Sequence, residues 1–295
     1  MKIGRWRRFR PTVRGGLQDP TAFEPQSLYA EARGIVDQAM RQVRRDRSNR
    51  HSLKRTIEAA KLLRRHDTHD AAHLLALLLL QTPSAARAQD EMDSHHGGYK
   101  NRQARLFELI DFNDTFVDTV LALEDSELAT FSERLRTEMD VLTQNYNLLG
   151  FTDKQYDAIT HGLSREIAVY RGARKEGYIA RMTSRVQDAK GIDMVITDPK
   201  TKKSINIDCK TRSAYHFRLV DLQHQKRVDE EKRLRCELAG YCIVQNGHGE
   251  DAISTVLLEV ATNNLGEIKD FTFTDTAKLG VLLGRALEQH GRYIV

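Results

Sequence analysis

The segment of residues 191–210, GIDMVITDPKTKKSINIDCK, decides the fold of the C-terminal half of the chain. Alternating apolar residues predict two short β-strands, and the sequence DPKT at 198–201 predicts the turn that joins them. Charged residues nevertheless lie inside both apolar runs, with Asp193 in the first and Asp208 and Lys210 in the second. The hairpin therefore places acids at positions that a sheet normally buries.

Side chains alternate between the two faces of a strand, so Asp208 and Lys210 share the face opposite to that of Cys209. Asp193 lies on the corresponding face of the first strand, and a suitable register brings it to Asp208. A buried carboxylate without a partner costs several kcal/mol, so acids in this position need a cation. Lys210 can supply one charge and a divalent metal two. Hard carboxylate oxygens suit Mg²⁺ or Mn²⁺.

A third acid comes from the helix predicted before this hairpin. Its apolar stripe consists of Ile159, Leu163, Ile167 and Tyr170. Glu166 lies on or beside that stripe and is expected to point toward the sheet. Glu176 is the competing candidate, but it follows Gly172 and precedes Gly177, where the helix is expected to end.

The combination of Glu166, the sequence Gly191-Ile192-Asp193 and the sequence Asp208-Cys209-Lys210 resembles the PD-(D/E)xK nuclease superfamily. The predicted order of elements after residue 150, α-β-β-β-α-β-β-α, is similar to the order in that superfamily. The resemblance implies an α/β fold of the restriction-endonuclease-like type, with a mixed sheet flanked by helices. It covers about residues 151 to 260, and Ile192 stands where the motif usually has Pro.

The resemblance also implies roles for individual residues. Asp193, Asp208 and the main-chain carbonyl of Cys209 would bind the metal ion. Lys210 would position the attacking water or stabilise the developing charge, and Glu166 would complete the metal site or orient water. The superfamily often has a Gln at the start of the next helix, for which Gln223 is favoured over Gln225. Asp188 is a weaker candidate for a further acid.

The chain divides into three predicted parts. Residues 1–25 form a basic N-terminal tail, residues 26–150 an all-α domain and residues 151–295 the nuclease-like α/β domain. Helical spacing of apolar residues dominates the middle part, where the segment 83–101 is predicted as a loop.

Charge is distributed unevenly along the sequence. Residues 1–65 contain 17 Lys or Arg and 6 Asp or Glu, whereas residues 66–150 contain 6 and 15. A basic segment is typical of a protein that binds a polyanion, because each cation that meets a phosphate releases counterions. The expected nucleic-acid contacts are Arg5, Arg7, Arg8 and Arg10 in the tail, and Arg212 and Arg218 after the second strand. A solubilising tail or a self-assembly contact is the alternative for the N-terminal segment.

Together these patterns predict an Mg²⁺-dependent endonuclease that hydrolyses phosphodiester bonds, with DNA as the expected substrate and a homodimer as the expected assembly. The alternative is a non-catalytic nucleic-acid-binding or scaffold protein with a lapsed nuclease fold. His66, His69, Asp70 and His73 share one face of a predicted helix, but a polar helix entry is favoured there over a transition-metal site.

The remaining expectations concern location and cysteine chemistry. No apolar stretch of the sequence approaches the roughly 20 residues that cross a bilayer, so no membrane association is expected. Three cysteines, none in a CxxC pair, indicate no disulfide framework and suggest a reducing cytoplasm.

Overall fold

The computed structural model describes residues 28–43, 52–65, 70–94, 103–183, 187, 191–246 and 253–293. The described part of the N-terminal region is helical, as predicted. Its helices are α1 (Leu28–Gln42), α2 (Ser52–Leu63), α3 (Ala71–Asp93), α4 (Gln103–Ala122) and α5 (Asp125–Tyr146). Their apolar faces pack into one core that includes Phe112, Phe116 and Phe131.

Helix α3 is longer than the sequence predicts. The segment after residue 83 was expected to be a loop, yet α3 continues through Pro83 to Asp93. A proline inside a helix removes a hydrogen bond and costs about 3 kcal/mol. Burial offsets this cost, because Ala85, Ala86 and Ala88 are all fully buried in the helical core.

Helix α6 (Asp153–Lys175) connects the helical region to the sheet. It begins at a capping box, in which the Gln155 N–H donates to Thr152 Oγ1 (3.3 Å) and the Thr152 N–H donates to Gln155 Oε1 (3.0 Å). The first half of α6 packs into the helical core and the second half against the sheet. The two cores therefore meet within this helix.

The predicted strands are all present. They are β1 (Ile179–Met182), β2 (Met194–Thr197), β3 (Lys203–Lys210), β4 (Tyr241–Asn246) and β5 (Ile253–Glu259). They form a mixed sheet in the order β1-β2-β3-β5-β4. Neighbouring strands are antiparallel except for β3 and β5, which are parallel.

Helices cover both faces of this sheet. Helix α6 and the later helix α10 (Ala277–His290) pack on one face, against Ile207, Cys209 and Leu258. Helices α7 (Arg212–His224) and α8 (Glu230–Ala239) cover the other face, where Tyr215 and Leu219 pack against Leu257. The intervening short elements are α9 (Thr262–Leu265), β6 (Ile268–Lys269) and β7 (Thr272–Phe273), and β8 (Arg292–Tyr293) pairs with the start of β3.

The structure corrects the prediction about cysteines. Cys236 at the end of α8 and Cys242 on β4 form a disulfide, with their Cα atoms 5.0 Å apart. Gly240 adopts a positive φ of 71° at the turn between these elements and so lets the chain fold back on itself. The six-residue spacing gave no sign of this pairing, because the turn that closes it is a tertiary feature. Within the described residues, no helix has the length and apolar character needed to cross a bilayer.

Candidate functional site

Strands β2 and β3 bring the predicted acids to the same end of the sheet. Met194 pairs with Ile207 in the antiparallel ladder, and the Asp193 N–H donates to the Ile207 carbonyl as well (2.8 Å). Two residues of one strand thus meet one residue of the other, which is the arrangement of a β-bulge. Asp193 and Asp208 are 8% and 4% exposed, so both acids are buried as the sequence suggested.

The Asp193 carboxylate contacts the main chain of β3 directly. Its Oδ2 accepts a hydrogen bond of 2.6 Å from the Cys209 N–H, at the point where β2 no longer pairs with β3. The N–H and C=O groups of one strand residue point to the same side, so the Cys209 carbonyl also points to this edge. The main-chain groups of Lys210 point the other way, toward β5, since the Lys210 carbonyl accepts a hydrogen bond from the Val260 N–H (2.8 Å) just after β5.

Asp208 and Lys210 form an ion pair and a hydrogen bond on the face of β3 that α7 and α8 cover. Burial by itself lowers the pKa of Lys210, but the charges of Asp193 and Asp208 act more strongly and raise this pKa above its ordinary value. The side chain therefore stays an ammonium ion at neutral pH. One fixed positive charge accompanies two buried carboxylates, which leaves the group with a surplus of negative charge.

Cys209 contributes through its main chain. Its thiol is buried on the α6 side of the sheet, and burial together with the charges of Asp193, Glu166 and Asp208 raises its pKa well above the ordinary value. A neutral thiol is a poor ligand for a hard cation. The Cys209 carbonyl is the group that fits the predicted role.

Glu166 reaches this end of the sheet from α6, where it is half-buried. Its charge contributes to the raised pKa of the Cys209 thiol. Glu176, the competing acid, lies at the end of α6 and bonds to Thr276 instead.

The predicted place of Gln223 is wrong. The helix after β3 begins at Arg212, so Gln223 lies in its last turn and Gln225 is the C-terminal cap. At 1.5 Å per residue, Gln223 is about 16 Å along the helix from its start. The first turn of α7 contains no glutamine. The charged segment after β3 consists of two helices, because a turn at Lys226 (φ 57°) separates α7 from α8.

The predicted nucleic-acid contacts fall into two groups. Arg212 opens α7 with a side chain that is 74% exposed, and Arg218 lies in the next turns, paired with Asp221 at 2.9 Å. Arg5, Arg7, Arg8 and Arg10 lie outside the described residues, as does Asp188.

One acid at the same end of the sheet was not predicted. Glu259 ends β5, is 8% exposed and pairs in register with Lys210. The only sequence signal is an acid at the close of the apolar run TVLLEV, the same kind of signal as Asp208 in INIDCK. The parallel pairing of β3 with β5 is a long-range contact that no local sequence pattern indicates.

A cleft among the described residues lies away from these acids. It has a volume of about 900 Å³, between α5, α6 and residues 260–271, and neither Asp193, Asp208 nor Lys210 lines it. Its charged lining has more acids than bases, namely Glu133, Asp153, Asp157, Glu267 and Asp270 against Arg136 and Arg165. Such a lining repels a phosphate backbone, so this cleft does not suit a nucleic acid.

The candidate donors at the end of β3 are oxygen atoms, namely the carboxylates of Asp193 and Asp208 and the Cys209 carbonyl. No group of three or more His, Cys, Asp or Glu side chains close enough to hold a metal ion occurs in the described part of the chain. Mg²⁺ commonly binds one or two carboxylates together with water and substrate oxygens, whereas zinc sites use three or four His, Cys or acidic ligands.

The histidine-rich helix entry has structural partners. Asp70 caps α3 by accepting from the His73 N–H (3.3 Å), and a ring nitrogen of His73 lies 3.1 Å from the Leu63 carbonyl. These contacts favour the polar helix entry over a metal site, while His66 and His69 lie outside the described residues.

Comparison of the chain with protein-family models, with curated proteins and with solved structures found no match.

Proposed function

We propose that this protein is a metal-dependent nuclease of the PD-(D/E)xK type that hydrolyses phosphodiester bonds in DNA. The observation that carries the proposal is the convergence of Asp193, Asp208 and Lys210 on one end of β3, with both acids buried and the lysine held as an ammonium ion. Restriction, defence, repair and junction resolution are all roles that this chemistry can serve.

The proposed mechanism assigns one task to each group. Asp193, Asp208 and the Cys209 carbonyl would hold Mg²⁺ or Mn²⁺. Such an ion, when bound, neutralises charge on the scissile phosphate and lowers the pKa of a bound water molecule. Asp208 holds the Lys210 ammonium in place, and Lys210 stabilises the negative charge that develops on the phosphate. Glu166 would orient water.

The remaining parts of the proposal are the DNA contacts, the assembly and the cellular location of the protein. The Arg-rich N-terminal segment and Arg212 would contact DNA phosphates, because phosphate contacts dominate the affinity of DNA-binding proteins. We further propose that the protein is a homodimer that cuts both strands and that it is cytoplasmic. A disulfide such as Cys236–Cys242 is more typical of oxidising compartments.

A second candidate function is a nucleic-acid-binding protein without catalytic activity. The specific observation in its favour is that each acid has a structural partner: Asp193 binds the Cys209 N–H and Asp208 binds Lys210. A lapsed site could keep both acids for this reason alone.

Cleavage of supercoiled plasmid DNA in Mg²⁺ separates the two functions. The nuclease predicts nicked or linear product with the wild type and none with Lys210→Ala or Asp193→Asn, while both variants still bind DNA in a gel-shift assay. Lys203→Ala is the matched control, because Lys203 starts the same strand about 23 Å away. Binding without cleavage by the wild type, in both Mg²⁺ and Mn²⁺, would favour the second function.

A further inference from the structure

Glu259, the acid that was not predicted, lies next to the candidate site in the sheet. It is the last residue of β5, and Lys210 is its partner at the end of the parallel strand β3. Partners in adjacent strands share a face, so Glu259 lies on the same face as Asp208 and Lys210. Only 8% of its surface is exposed.

The main chain holds Glu259 firmly. Its N–H donates to the Gly240 carbonyl (2.9 Å), and its carbonyl accepts from Asn264 Nδ2 (3.1 Å). These two hydrogen bonds hold the main chain of Glu259 and therefore the position of its Cβ atom. The carboxylate then lies beside the first turn of α7, since its charge, after burial, is the largest cause of the raised pKa of Tyr215.

The cation that faces Glu259 is Arg212, with Nε 3.9 Å from Glu259 Oε1. The two partners differ sharply in burial, because the side chain of Glu259 is 10% exposed and that of Arg212 is 74% exposed. A guanidinium has five N–H donors in a planar fork, and the 3.9 Å contact is an ion pair that is longer than a hydrogen bond. The exposed guanidinium is accessible to an anion from solvent.

Arg212 also lies where a phosphate is favoured. It is the first residue of α7, two residues after Lys210, and Thr211 caps this helix by accepting from the Ala214 N–H (3.3 Å). The positive end of the helix dipole therefore adds to the charge of Arg212 on the side of Lys210. Arg218 is different, because Asp221 on the same helix binds it.

On the basis of the proposed nuclease function, we propose that Arg212 binds a substrate phosphate next to the scissile one, and that Glu259 is the positioning residue that holds Arg212 for this contact. A side chain that is held in its binding geometry loses less conformational entropy when the substrate arrives. The ion pair also neutralises the buried negative charge of Glu259, which would otherwise repel DNA.

The test is steady-state cleavage of a short duplex by the full-length protein in Mg²⁺. Arg212→Ala should raise KM about tenfold, the effect of losing one charge-assisted phosphate contact, and leave kcat within about threefold. Glu259→Gln keeps the shape of the side chain and should raise KM by about threefold, because Arg212 is no longer held. Arg235→Ala is the matched control, because Arg235 is also exposed and pairs at 3.8 Å with Glu231 on its own helix α8, and it should leave KM unchanged.

Two further readouts separate positioning from a merely structural role. The double variant Arg212→Ala/Glu259→Gln should bind better than Arg212→Ala alone, because no unpaired buried carboxylate then faces the phosphate. Arg212→Ala should also lower the steepness of log KM against log salt by about 0.9, as expected for one phosphate. Thermal unfolding identifies any variant that is misfolded.

The inference is overturned if Glu259→Gln has the KM of the wild type, if Arg212→Ala and Arg235→Ala behave alike, or if the double variant is no better than Arg212→Ala. Those outcomes leave the nuclease function intact, because the wild type still cleaves. A wild type that does not cleave DNA refutes the proposed function itself, and the role of Arg212 and Glu259 is refuted with it.

Discussion

Replacement of Lys210 with alanine should destabilise the protein, and Mg²⁺ should restore much of the loss. The variant removes the ammonium group that Asp208 binds, while Asp208 and Asp193 stay buried. Both acids raise the pKa of Lys210, so both stabilise its charge. Without the ammonium group, Asp208 loses the cation that it binds.

The magnitude follows from the burial of the two partners. Breaking a fully buried ion pair costs about 3–5 kcal/mol. The Asp208 side chain is 6% exposed but that of Lys210 is 31% exposed, so water screens part of the interaction. We therefore expect a loss of about 2 kcal/mol in the free energy of unfolding. For a cooperative unit of about 150–250 residues this corresponds to a fall in Tm of about 4–8 °C.

A divalent cation can take the place of the lost ammonium group. If Asp193 and Asp208 hold Mg²⁺, a millimolar concentration should raise the Tm of Lys210→Ala more than that of the wild type, because binding to the folded state alone stabilises it.

Differential scanning calorimetry of the wild type, Lys210→Ala and the control Lys203→Ala, with Mg²⁺ and with EDTA, measures these effects. An unchanged Tm for Lys210→Ala would mean that the carboxylates do not depend on the lysine. If Lys210→Ala loses stability as expected but Mg²⁺ does not restore any of it, Asp193 and Asp208 do not form a cation site.

Three other predictions concern the tail, the lysine and the disulfide. Deletion of residues 1–14, which carry six Lys or Arg, should flatten the salt dependence of DNA binding by up to about five units of slope, whereas an unchanged slope would show that the tail does not touch the polyanion. Because the pKa of Lys210 in the folded protein lies above its ordinary value of 10.5, the stabilisation that Lys210 supplies should be complete below that pH and lost as the pH rises through the folded-state pKa. The difference in unfolding free energy between wild type and Lys210→Ala should accordingly stay constant between about pH 7 and pH 10, and a decline within that interval would contradict the assignment. Reduction of the Cys236–Cys242 disulfide should lower the free energy of unfolding by about 2 kcal/mol through the entropy of the closed loop, measured by urea denaturation with and without dithiothreitol, and Cys236→Ser should make the protein insensitive to the reductant.

Local patterns predicted most of the elements that build the site. The alternation in GIDMVITDPKTKKSINIDCK is sufficient for β2, the turn and β3, because the two-residue period of a strand is a property of neighbouring residues. The capping box of Thr152 and Gln155 likewise marks the start of α6 from four consecutive residues. Asp208 and Lys210 share a face for the same local reason, and the structure confirms their contact.

Errors arose where burial overrides local preference. Pro83 normally stops a helix, yet α3 passes through it because its surroundings are apolar on nearly every side. Gln223 was assigned to the start of a helix that begins eleven residues earlier, where Thr211 provides the cap. Neither the depth of burial nor the choice among several polar caps can be determined from a short segment.

By itself, the sequence determined the kinds of element and the faces on which their charged residues lie, since both follow from periodicities of a few residues. Only the tertiary structure decided which charges meet. Strands β3 and β5 are distant in the chain, and their parallel pairing places Glu259 beside Lys210 and Arg212. The turn at Gly240 likewise joins Cys236 to Cys242. Contacts of this kind depend on how whole elements pack to bury apolar surface, and no spacing within a single element records the outcome.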